Sequence, residues 1–123
     1  MNATQIQSEL KHFRGTTIYY KHLFPGKSPI LLTEGCNYIR EQCHAYWLFD
    51  AILSYQGDSR LKGVGFQVWD LQLQEKDLTW LLTCREDRGK PSIIKQVIPY
   101  SDFPLQKITI WVIDGVALLP SEY

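Results

Sequence analysis

The stretch from Cys36 to Gln56, CNYIREQCHAYWLFDAILSYQ, decides how the rest of the chain is read. It runs about twenty residues without Pro or Gly, so as one helix it spans roughly 30 Å, enough to cross a small domain. Its first half is two-sided, with Ile39 and Cys43 on one side and Arg40, Glu41 and His44 largely on the other. From Ala45 the segment turns apolar almost all round, through Tyr46, Trp47, Leu48, Phe49, Ala51, Ile52 and Leu53. A helix that is apolar on every side must be covered on more than one side, by a sheet below and by loops, another helix or another subunit above.

Thr33 is suited to cap this helix, and Glu34 puts negative charge in its first turn, where the helix dipole favours it. Upstream, Ile6, Leu10 and Phe13 recur at i, i+4 and i+7, the stripe of a short amphipathic helix. Asn2 and Thr4 are both suited to cap it, Thr4 with Gln7 fits a capping box, and Gly15 is placed to stop it. Residues 16–23 (TTIYYKHL) are β-branched and aromatic and favour a strand. The turn FPGKSP, residues 24–29, leads back into Ile30–Leu32, which makes a first hairpin.

Downstream of the polar loop GDSRLKG (residues 57–63), apolar residues fall on even positions at Val64, Phe66 and Val68. They then switch to odd ones at Trp69, Leu71 and Leu73. A strand changes its buried face in this way through a bulge or bend near Val68–Trp69, unless both faces are covered. Lys76–Asp77 reads as a turn, and Leu78, Trp80, Leu82 and Cys84 as one face of the next strand. After the charged reversal REDRGKP (85–91) come strands at Ile93–Ile98 and Ile108–Ile113. Asp114-Gly115 is a strong hairpin signal, with Val116–Leu119 returning and Pro120 ending it. Strands joined by short turns predict an antiparallel β-meander carrying one long central helix and a short N-terminal helix. The expected class is α+β, in one domain over residues 1–123.

The composition is that of a globular protein, 45% hydrophobic and 21% charged, and its 13 basic residues balance 13 acidic ones. No overall field draws in nucleic acid or an anionic membrane. The polar N-terminus has no signal-peptide core, and no apolar run is long enough to span a bilayer. Cys36, Cys43 and Cys84 form an odd set without C-x-x-C, read as reduced, mostly buried thiols in a cytoplasmic protein.

Asp50 is the first candidate for chemistry, because a helical wheel places it among Ile39, Cys43, Tyr46, Trp47 and Leu53. A buried carboxylate must be hydrogen-bonded or neutralised. It is either an acid or base of raised pKa or an acceptor for a Trp, Tyr or loop donor. Tyr46 and His44 are the other candidate catalytic residues, and His12 and His22 are also available as bases. Cys43-His44 with Cys36 has zinc-type ligands, but adjacent helical residues point about 100° apart, so no metal site is expected. Gly57–Gly65, with Arg60 and Lys62, lacks the order of a phosphate-binding loop and leads into a strand, so no cofactor is expected either. The mixed-sign turn from Arg85 to Lys90 reads as a solvated hairpin tip.

Several segments carry a resemblance: SELKHF (8–13), AYWLFDAI (45–52), FQVW (66–69), IPYSDFPL (98–105) and IDGVALLPSEY (113–123). Together they resemble a family of small bacterial proteins, cyanobacterial members included, known only as a domain of unknown function. The resemblance covers most of the chain and implies no activity, cofactor or site residue. The functional expectation is a non-catalytic binding or protein-interaction domain that self-associates, its sheet edges paired in a homo-oligomer. One alternative is a small enzyme with Asp50 in a helix–sheet cleft. Another is a nucleic-acid-binding accessory protein, against which the balanced charge argues.

Overall fold

The segment Cys36–Gln56 is not one rod. A computed structural model, which describes residues 2–123, divides it into α2 (Glu34–Gln42) and α3 (Tyr46–Tyr55). The break needs no glycine. His44 takes a left-handed backbone, φ 51°, and the amide of Ala45 donates to the carbonyl of Arg40 at 3.0 Å. That long bond closes a helix when the residue after its cap is left-handed. Glycine usually fills the position, but His is among the few other residues found there. After the break α3 presents Leu48, Phe49, Ile52 and Leu53 to the core, while Tyr46 lies exposed and Trp47 half-buried. The all-round apolar character is therefore shared between one packed stripe and a partly covered back.

The preceding helix, α1 (Ala3–Leu10), is capped by Asn2 in a capping box with Gln5, not by Thr4 with Gln7. It ends at Leu10, short of Gly15, and its stripe residue Ile6 is buried. Thr33 caps α2 as expected, accepting from the Cys36 amide at 3.3 Å.

The strands are β1 (Tyr20–His22), β2 (Ile30–Leu32), β3 (Phe66–Gln74), β4 (Thr79–Arg85), β5 (Ile94–Ile98), β6 (Lys107–Ile113) and β7 (Val116–Leu118). They form a seven-stranded sheet in the order β1-β2-β7-β6-β3-β4-β5. The class is α+β, but the sheet is mixed and not a simple antiparallel meander. β6 crosses to the far side of β3, and β2 pairs with β7 in parallel, Leu31 opposite Val116. The hairpins read from local signals do form. β1 and β2 pair antiparallel, and β6–β7 turns on Asp114 and Gly115, both at positive φ as a two-residue hairpin requires.

β3 carries no bulge at Val68–Trp69. Its register with β4 and β6 runs unbroken there, Val68 opposite Arg85 and Trp111, Trp69 opposite Cys84 and Ile110. The switch in parity means that both faces are apolar in part. Trp69 and Leu71 enter the core with Leu82, Ile108, Ile110 and the helices, whereas Phe66 and Val68 lie on the opposite face. Gln67, also buried on the core side, accepts from the Trp69 indole N–H at 2.8 Å and exchanges amide hydrogen bonds with Gln56.

A polar latch joins the segment after β7 to the start of α2. After a 3-10 turn at Pro120–Glu122, the buried Glu122 carboxylate accepts from the Thr33 hydroxyl (2.6 Å), the Gly35 amide (3.0 Å) and the Leu119 amide (2.9 Å). An anionic acceptor at a helix N-terminus answers amides that have no partner inside the helix. Gly35 permits the approach, since a Cβ there would lie 2.6 Å from Glu122 Oε1 and from Leu119 Cδ1.

Candidate functional site

Of the residues singled out by sequence, Asp50, His22 and Tyr46 come together, and His44 and the cysteines do not join them. His44 is exposed at the helix break, where its unusual backbone is its evident role. Tyr46, at the start of α3, donates its hydroxyl to Glu41 Oε1 at 2.5 Å, and that bond pushes the phenol above its ordinary range. The Arg40 guanidinium lies 5.0 Å from the centre of the same ring.

Asp50 is not sealed in the core. Its side chain is 39% exposed and accepts a 2.7 Å hydrogen bond from Nε2 of His22, which is only 2% exposed. His22 comes from β1, 28 residues earlier; sequence reasoning offered it as one of three available histidines without choosing it as the partner of Asp50. The available signal was its place on the same face as Tyr20 in a strand facing the helices. On the other side of the ring, Nδ1 lies 3.1 Å from an Arg40 nitrogen. Arg can only donate, so Nδ1 is the acceptor and Nε2 carries the proton shared with Asp50. Arg40 also donates to the Lys21 carbonyl (3.2 Å) and to Asn37 Oδ1 (2.8 Å). The chain Asp50–His22–Arg40 thus bolts the edge strand β1 to both α2 and α3. Both ring nitrogens of His22 are occupied, which leaves it no free lone pair for a substrate proton.

The cysteines are free and buried. Burial pushes the Cys43 thiol up to about 11 and that of Cys84 up to about 12, and raises that of Cys36 as well. Such thiols stay protonated and are poor nucleophiles and metal ligands. Among the described residues, no group of three or more His, Cys, Asp and Glu side chains is placed to hold a metal ion.

The other place of interest is the sheet face away from the helices. A groove of about 780 Å³ runs over β6, β3 and β4, between the turn at residues 87–89 and Pro120. The register sets out its floor in rows. Lys107, Gln72 and Leu81 make one row, Thr109, Asp70 and Thr83 the next, and Trp111, Val68 and Arg85 the third. Asp70 accepts a hydrogen bond from the Thr109 hydroxyl across the strands. Arg85 is tied down, donating to the Lys90 carbonyl (3.2 Å) and to Ser92 Oγ (3.3 Å), while its buried Nε has no partner among the described residues. At the opposite end Phe66, Trp111 and Tyr123 form a ring cluster, with centroids 5.1, 5.5 and 6.1 Å apart. The parity switch in β3 was the trace of this surface in the sequence, since Phe66 and Val68 belong to it.

One face of the sheet is covered by the helices, and the other carries a polar, aromatic-ended groove. The chain belongs to a family of unknown function, DUF6876, which matches residues 4–123. No curated protein and no solved structure matches it. No helix among the described residues is long and apolar enough to cross a membrane.

Proposed function

We propose that the protein is a non-catalytic binding domain and that the groove over β6, β3 and β4 is its binding surface. The observation that carries this reading is the groove itself. Its volume of about 780 Å³ falls in the range of small-molecule sites, and its floor mixes apolar side chains with a few convergent polar ones. Three buried free thiols suit a reducing cytoplasm. The test is to map a mixture of small aromatic fragments by amide-resonance shifts. Shifts gathered on β3, β4 and β6, and lost when Thr109→Arg fills the groove, support the reading. Shifts gathered around Asp50, or none at all, defeat it.

Self-association forms part of the same proposal. β1 and β5 end the sheet, Ile18, Tyr19 and Leu23 are exposed beside β1, and Val97 on β5 is 56% exposed. Pairing of such edges between copies would cover them. A compact monomer in dilute solution, measured by X-ray scattering, would remove this part. The rival reading, an acid–base enzyme centred on Asp50, draws on its contact with His22. We place it second because that imidazole is buried with both nitrogens engaged.

A further inference from the structure

We propose that the groove takes a small organic anion with a planar ring, of the size and chemistry of a mononucleotide; this rests on the groove being a binding surface. Three observations converge. Trp111 and Arg85 flank Val68 in one cross-strand row on the same face, so their Cα atoms are about 10 Å apart, two strand spacings. A ligand lying along that row meets an aromatic surface at one end and a guanidinium at the other.

The guanidinium is already in place. Arg85 spends two of its donors on the Lys90 carbonyl and Ser92, which fixes the plane and leaves one N–H on each terminal nitrogen for an oxyanion. A cation held in this way loses little freedom when it binds, and the planar fork suits a phosphate or carboxylate.

The balance of charge favours an anion. Arg85, Arg88 and Lys107 line the groove against Asp70 and Asp87, and each carboxylate already accepts a hydrogen bond, Asp70 from the Thr109 hydroxyl and Asp87 from the Arg88 amide. Asp70 and Thr109 lie midway, where a ring or sugar donor would find an acceptor. A polynucleotide fits less well, because a chain with no net charge lacks the field that concentrates a polyanion.

Titration of the intact chain with adenosine monophosphate, adenosine, inorganic phosphate and benzylamine, read by amide resonances, tests the idea. Adenosine monophosphate is expected to shift β3, β4 and β6 and to bind at least about tenfold tighter than adenosine or phosphate, since charge-assisted and stacking contacts each contribute about that factor. Arg85→Gln and Trp111→Leu are each expected to weaken it about ten- to hundredfold. Because Arg85 also braces its hairpin, the exposed Lys107→Gln serves as a second variant, with a smaller loss. Benzylamine binding in the groove without the nucleotide would overturn the anion and keep the binding surface. Equal binding of phosphate alone would overturn the ring. A single-stranded oligonucleotide binding tighter than the monomer, with steep salt dependence, would overturn the small-molecule class. Silence from all four probes would overturn the anion, and silence from the neutral fragments as well would take the binding surface with it.

Discussion

The two faces of this sheet treat their polar side chains in opposite ways. Under the helices the prominent polar residues are paired, although the buried Nε of Arg40 has no partner among the described residues. His22 is held between Asp50 and Arg40, Gln67 between Gln56 and Trp69, and Glu122 collects three donors. Across the strands the groove holds side chains with donors and acceptors to spare. The contrast teaches that a perturbed or paired residue is not by that fact functional. The face with the fuller network is the one that holds the fold together, and the face with capacity left over is the one proposed to bind.

The largest blow to the closed face is Phe49→Ala. A fully buried Phe lost to Ala costs about 3–5 kcal/mol, whereas Trp111→Ala on the half-open face should cost less than half as much. Denaturant midpoints compare the two, and equal losses would erase the distinction between faces. Glu122→Ala comes next, at about 2–3 kcal/mol, because it strands the buried Thr33 hydroxyl and two amides. Calorimetry reads it, and a negligible change would show that water replaces the latch.

His22→Leu should cost about 1–2 kcal/mol by leaving Arg40 short of an acceptor, while Asp70→Asn in the groove should stay within about 0.5 kcal/mol. Reversal of that order would place the structural network on the wrong face. His44→Gly should stabilise the fold by about 0.5–1 kcal/mol, since it relieves a left-handed residue that carries a Cβ.

Near neutral pH the weakest effect comes from the cysteines, which share the closed face. Their thiols titrate near 9 when unfolded and are pushed to about 11 at Cys43 and about 12 at Cys84 by burial. The unfolded chain therefore loses these protons first, so the thiols' contribution to stability should be constant below pH 9 and fall as pH rises beyond it. A thiol reagent at pH 8 should label the native protein slowly and the unfolded chain at once; rapid native labelling would mean that the closed face opens.

Local chemistry was well written in the sequence. Thr33 capped its helix, Asp114-Gly115 turned its hairpin, and the alternation of Trp80, Leu82 and Cys84 marked one face of β4, although Leu78, read with them, is an exposed turn residue at positive φ. Such features depend on neighbours two to four residues apart. The helix break escaped notice because it uses His44 where a glycine signal would have revealed it. The strand order escaped because β6 seeks the far side of β3 through a contact that no short period encodes. Asp50 was marked as a buried carboxylate in need of a partner; it is 39% exposed, and the partner it has lay 28 residues away on a strand. Tyr46 did gather near it, with its ring 6.0 Å from that of His22.

The Glu122 latch has a bearing on how the chain is made. A ribosome delivers Thr33 long before it delivers the carboxylate 89 positions later that accepts its hydroxyl. Until Glu122 has been made, the Thr33 hydroxyl and the Gly35 amide at the start of α2 are answered by water. A pull on the segment after β7 would be felt at the start of α2, 89 positions away in the sequence.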